Sequence, residues 1–288
     1  MFKNAVTKLL ISLTLLSTSA MAAEDDIKVL FVGTPQSGPP VILTQSFAQN
    51  LNVPNTFVSI KDCAGVMKFI DQNPNVAFFV NDMVTLTLKR QGLDCMPKFK
   101  TEDVIASVSS SWHVCKKPGG RDIGQTRFTF GISTVLPVAG VARDFNKRNS
   151  VGAVPVGVPS SAQAVAGILS GDIDWGMINP GVAEPLIQEG KLECPLTFIP
   201  QGTQIISSKA YIANHYDMTI PDLHTTYLLV IKSKDPKVKE TAIKAVQSKG
   251  FSEFLDKSRY FNVKLGNYTQ SDFDNFTAYI TRLEKELY

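Results

Sequence analysis

The residues best suited to chemistry in this chain are hydroxyls and amides, and they gather in four short loops. The first holds Thr34, Gln36, Ser37 and Gly38; the second is Asn81 with Asp82; the third begins at Ser133 and Thr134; the fourth is Ser160 and Ser161. Asn179, just before Pro180-Gly181, ends a strand in the same manner. None of the four loops contains Lys or Arg. At the mouth of a helix the first backbone N–H groups are unpaired and carry a partial positive charge, so O–H and N–H donors there can hold a carboxylate without a basic side chain. A neutral polar solute fits the same donors. Each loop also has a plainer use, since Gly and Pro turn a chain after a strand and Ser caps a helix. Four such loops in corresponding positions of two halves point to a ligand.

Signatures of catalysis are missing from the sequence. Gly131-Ile132-Ser133-Thr134-Val135 lacks the second glycine of a nucleophile elbow. There is no phosphate-binding glycine loop and no H-E-x-x-H. Asp172 and Asp174 flank a strand and read as solvated turn residues; His113, His215 and His224 lie far apart. No catalytic residue, metal or cofactor is expected. A Cys63 or Cys115 nucleophile is the enzymatic alternative.

The elements that must position these loops follow from hydrophobic periodicity. Ile27–Val32 reads as a buried strand, followed by the Gly/Pro loop and a helix through Val41, Leu43, Phe47 and Leu51 that has Pro39 and Pro40 in its first turn. Thr56–Ile60, Ala64–Ile70, Val76–Val80 and Met83–Leu88 continue as strand, helix, strand and helix. Val104–Val114 is one long extended stretch, after which the alternation resumes through Thr129–Ile132, Ala153–Val158, Ser160–Leu169 and Ile173–Ile178. Thr225–Lys232 is a strong strand, and beyond Pro236 the chain becomes helical. The last helix carries Phe273, Phe276, Ile280, Leu283 and Leu287 on one face, with Ser271 expected as its cap. Two α/β lobes with largely parallel sheets result, bracketed by two strands that form a hinge. The expected division is residues 1–22 as a signal peptide, 23–106 with 229–288 as lobe I, and 107–228 as lobe II.

Lys3 and Lys8, a short apolar run and Ala20-Met21-Ala22 make a secretory signal, with cleavage expected after Ala22. The apolar run is too short to span a bilayer, and no Cys at the cleavage point suggests a lipid anchor. Lys3 and Lys8 leave with the signal, so the 29 basic residues fall to 27 against 26 acidic ones. That balance argues against a nucleic-acid or membrane surface as the main partner. In an oxidising compartment Cys63, Cys95, Cys115 and Cys194 are expected to form at least one disulfide, with three connectivities open. Pairing within lobes, Cys63 with Cys95 and Cys115 with Cys194, is preferred because a bridge between lobes would restrict closure.

With these residues in view, the sequence resembles the TctC or Bug family, the extracytoplasmic solute-binding proteins of tripartite tricarboxylate transporters. Val29-Leu30-Phe31-Val32-Gly33-Thr34-Pro35-Gln36-Ser37-Gly38-Pro39 is similar to that family's opening strand and Pro/Gly-rich loop. Phe130-Gly131 and its Ser/Thr loop, Ser160-Ser161-Ala162-Gln163-Ala164, Ser170-Gly171-Asp172-Ile173-Asp174, Asn179-Pro180 and Glu189-Gly190-Lys191-Leu192 follow its order and spacing. The chain departs from it at Val41, where Asp is common, and at Lys61-Asp62-Cys63-Ala64-Gly65, which replaces a glycine-rich segment. The resemblance implies a type II periplasmic-binding-protein fold that closes on an organic acid. Carried onto this sequence, it points to Thr34, Ser37 and Gly38 in one lobe and to Ser133, Thr134, Ser160, Ser161 and Asn179 in the other. It further implies a monomeric periplasmic receptor whose partners are a small carboxylate or polar solute and the membrane permease subunits of a transporter. A periplasmic sensor module feeding a signalling partner, or an enzyme on this fold, are the alternatives.

Overall fold

The structure is a computed structural model that describes residues 26–32, 39–60, 62–90, 97–123, 127–198, 218–219 and 222–288. The chain runs β1 (Ile27–Val32), α1 (Pro39–Asn50), β2 (Asn55–Ile60), α2 (Cys63–Gln72), β3 (Val76–Asn81) and α3 (Asp82–Arg90). It then makes β4 (Val104–Ser110) and β5 (Trp112–Lys116), separated only by Ser111. The second alternating run is β6 (Arg127–Ser133), α4 (Val138–Asn149), β7 (Gly152–Val158), α5 (Ser161–Ser170), β8 (Trp175–Ile178), α6 (Pro180–Gln188) and β9 (Glu193–Phe198). After β10 (Thr225–Lys232) come α7 (Pro236–Val246), α8 (Lys249–Lys257), β11 (Tyr260–Leu265) and α9 (Gln270–Leu287).

Two sheets result, in the orders β11-β4-β10-β3-β1-β2 and β7-β6-β8-β5-β9. The extended stretch expected over Val104–Val114 is shared between them: β4 pairs in the first sheet and β5 in the second. Both sheets are mixed, where the sequence suggested largely parallel ones. The parallel parts are β2-β1-β3 and β7-β6-β8, the alternating strand-helix units. Antiparallel pairs involve the crossing and returning strands, β10 against β3 and β4, and β5 against β8 and β9. A strand that enters a lobe from the hinge runs opposite to the strands that end there, so the crossings impose this sense.

Burial explains why these segments hold. Leu43 and Phe47 of α1 and Leu51 just after it repeat at helical spacing and are buried in one cluster with Ile27, Val29 and Leu229. Each such side chain contributes about 1.5 to 3 kcal/mol when fully buried. The stripe expected on the last helix is present: Phe276, Ile280, Leu283 and Leu287 of α9 are buried in a cluster that also includes Phe78 and Leu228 of the first sheet and Phe130, Phe145 and Phe198 of the second lobe. One apolar cluster thus continues through the helix from lobe to lobe. Its cap is Thr269, not Ser271: the Thr269 hydroxyl accepts from Asp272 N, and the Asp272 carboxylate accepts from Thr269 N. That reciprocal pair satisfies two groups at once, which a cap at Ser271 would not do. In the second lobe Cys115 and Cys194 are disulfide-bonded, joining β5 to its neighbour β9, as within-lobe pairing required. Cys95 and the Cys63–Cys95 pairing lie outside the described residues. Among the described residues no helix is long and apolar enough to cross a membrane.

Candidate functional site

In an open α/β sheet, ligands bind beyond the carboxyl ends of the parallel strands, where loops lead into helices. In the second lobe those ends are Ser133 of β6, Val158 of β7 and Ile178 of β8. A series of contacts brings the candidate residues of this lobe together. Thr134 N donates to Val158 O at 2.9 Å, which seats the loop after β6 beside the end of β7. Two residues beyond Val158, the Ser160 hydroxyl caps α5 by accepting from Gln163 N at 3.2 Å. Ser161 Oγ accepts from Asn179 N at 3.1 Å and thereby joins the start of α5 to the start of α6. Ser133 is buried, Ser160 and Ser161 are half-buried, and Thr134 is exposed.

Asn179 caps α6: its Oδ1 accepts from Gly181 N at 3.1 Å. Its Nδ2 donates to Ser110 Oγ at 2.7 Å, so one side chain ties the second-lobe helix to the end of hinge strand β4. The sequence suggested that this amide reaches a cleft; the structure gives it capping and hinge duties, with both ends of the amide engaged. Ser160 likewise has its capping role, as acceptor from Gln163 N.

In the first lobe Asn81 ends β3 and its Oδ1 accepts from Val84 N at 2.8 Å, at the start of α3. Asp82 beside it is fully buried. Its carboxylate accepts from Met83 N and, across the sheet, from Thr226 N of β10, each at 2.7 Å. Burial pushes this carboxyl up to about 8, against the pull of the two backbone N–H groups. Asp82 therefore pins the helix start to the second hinge strand. Thr34, Gln36, Ser37 and Gly38 lie outside the described residues.

Sequence reading missed a second hinge contact because its members are far apart in the chain. Glu184 of α6 lies 3.6 Å from His113 Nε2 on β5 and 3.5 Å from Arg259 Nε, just before β11 of the first lobe. His113 first, and then Arg259, hold the Glu184 carboxyl below its ordinary value against the effect of burial. Arg259 adopts a φ of 59°, in the left-handed region, to reach this position. In addition, α9 docks on α4: Arg143 donates to Leu287 O at 3.2 Å, and Gly140 leaves room for the same carbonyl. Two separate sets of contacts thus join the lobes beyond the strand crossing.

Two α/β lobes joined where β4 passes into β5, with helix starts gathered at the strand ends, agree with solved structures. A TctC solute-binding protein from Polaromonas superposes with a TM-score of 0.60, at 17% identity, over 91% of this chain and 98% of that one. The chain has the fold of the TctC and Bug solute-binding proteins. The periplasmic binding protein BugD matches with a TM-score of 0.66, at 10% identity, over 90% of this chain and 95% of that one. An adipate-bound protein of Rhodopseudomonas palustris matches with a TM-score of 0.68, at 14% identity, over 90% of this chain and 95% of that one. MatC from the same organism, with bound malate, reaches 0.61 at 12% identity over 91% of this chain and 98% of that one. No protein-family model matches the sequence, and no curated relative matches it.

Proposed function

We propose that this protein is a periplasmic solute-binding receptor that closes its two lobes on a small organic acid and presents it to the permease subunits of a tripartite tricarboxylate-type transporter. The observation that carries the reading is the contact series from Ser133-Thr134 through Val158 to Ser160-Ser161 and Asn179. It gathers two helix N-termini and several hydroxyls at one end of the second sheet, in segments without Lys or Arg. Dipoles and hydroxyls of that kind suit a carboxylate. The malate and adipate held by the two Rhodopseudomonas palustris proteins are acids of the same class. Thr34, Gln36, Ser37 and Gly38, with Asn81, complete the site from the first lobe. The receptor is a monomer, exported and cleaved after Ala22, with no catalytic residue.

Native mass spectrometry of the protein purified from periplasm tests the reading, with a co-purified acid as the expected result. If each donor to the anion contributes about 1.5 to 3 kcal/mol, Ser160→Ala or Ser161→Ala weakens binding of that acid roughly ten- to a hundredfold. Unchanged affinity after alanine is placed at Ser133, Ser160 and Ser161 together would overturn it.

A further inference from the structure

A cavity of about 540 Å³ lies between the first sheet and α9, and none of the residues proposed for the acid site is among those that line it. Its floor is Ser107 and Ser109 of β4 with Thr226 of β10. These positions are unusual for what covers them. A sheet face packed under a helix normally turns apolar side chains inward. Leu228, Val230, Phe78 and Val80 follow that rule in the cluster they share with Phe276 and Ile280 of α9. The three hydroxyls do not, and Ser109 and Thr226 sit 3.1 Å apart as mutual partners.

The walls add features that packing does not require. Tyr279 and His224 stack with ring centres 4.1 Å apart, and the Tyr279 hydroxyl is fixed by the backbone N–H and C=O of His224. This pair is a rigid aromatic plate along one side. Tyr268 also lines the space, and its hydroxyl is buried with no hydrogen-bond partner among the described residues. A buried hydroxyl is stabilised by whatever partner reaches it, so a hydroxyl-bearing ligand in this space has a group to bond. A register shift in β11 between Phe261 and Lys264 holds Asn262 at a φ of 48° and brings it to the rim. Bulges often re-aim side chains next to binding sites. Lys264 is ion-paired with Asp272, which also caps α9, so the rim offers no uncompensated charge.

Hydroxyls on the floor, an unpaired phenol, amides at the rim and an aromatic pair whose neighbouring Arg282 is ion-paired with Asp222 together define a chemistry. We propose that this cavity is a second ligand site, distinct from the acid site, and that it takes a small uncharged molecule bearing neighbouring hydroxyls, of monosaccharide or cyclic polyol type. Such a ring packs against the edge of the His224–Tyr279 pair, whose Tyr279 ring also carries the Arg282 guanidinium 5.0 Å from its centre, and it donates a hydroxyl to Tyr268 or accepts from it.

The test titrates the purified protein with D-glucose, D-ribose and myo-inositol, followed by saturation-transfer NMR and calorimetry, with malate as the acid probe. Saturable binding of at least one of the three is expected. Tyr268→Phe and Ser107→Ala should each weaken it about tenfold, malate should not displace it, and malate affinity should stay unchanged in both variants. Tyr268→Phe supplies a second readout: without any probe it should melt no lower than the parent, because it removes only the unpaired hydroxyl. Absence of saturable binding by all three probes, displacement by malate, or unchanged affinity in both variants would overturn the proposal. A failure of malate to bind bears on the acid site alone.

Discussion

Asp82 carries the sharpest consequence at the scale of one residue. Its folded pKa stands near 8 against an ordinary 3.8, so between those values the folded protein holds a proton that the unfolded chain has released. The contribution is therefore fully present below about pH 4 and lost as pH rises through about 8, with a slope of up to about 1.4 kcal/mol per pH unit. Denaturant unfolding at a series of pH values should show stability declining over that window, and Asp82→Asn should flatten the decline while lowering stability overall, since its Nδ2 would face a backbone N–H. An unchanged slope in the variant would assign the proton to another group. Sequence placed Asn81 and Asp82 at a strand end but could not show that Asp82 reaches Thr226, which is 144 residues away. The capping side of the site was legible, because Ser160 before an apolar helical pattern is a local signal. Asn179 was found for its position at a strand end, but its bond to Ser110 was not legible, since that contact exists only once the two lobes meet.

At the scale of elements, local periodicity was enough to read the alternating strand-helix units and the stripe on α9, because each is built from neighbours in sequence. Strand sense was not, because antiparallel β10 and β5 are set by the hinge crossings rather than by composition. Neither could periodicity reveal that β4 is fully buried with Ser107, Ser109 and Ser110 in it; that depends on α9 folding over one face. The Cys115–Cys194 bridge closes a separation of 79 residues between two paired strands. Replacing both by Ala should cost about 2–4 kcal/mol, mostly by freeing the unfolded chain. Comparing urea midpoints of parent and variant, both unreduced, checks this, and fluorescence of Trp112 and Trp175, the only two Trp residues, reports directly on the second sheet.

For the molecule as a whole, two contacts join the lobes: Glu184 with Arg259, and the end of α9 on α4. At Gly140 a methyl group would overlap the Leu287 carbonyl. Gly140→Ala should therefore lift the last turn of α9 from the second lobe at a cost of about 1–3 kcal/mol. Small-angle scattering should show a larger radius of gyration, and amide exchange should quicken across Val138–Asn149; a compact variant with unchanged exchange would mean that α9 does not restrain the lobes. Substituting Arg259 should loosen the other contact independently, because the two contacts share no residues.

The register of β3 has a consequence in time as well as in space. Val76-Ala77-Phe78-Phe79-Val80-Asn81 pairs on one edge with β1, made early, and on the other with β10, where Asn81 faces Tyr227. Until that distant strand arrives, an apolar strand rich in β-formers has an open edge, which is a template for pairing with other chains. The second sheet needs no such wait, since β5 to β9 follow one another in the chain. It should complete first and leave the earlier half as the slow, aggregation-exposed phase of folding, so that yield depends on how long β3 remains shielded before β10 closes over it.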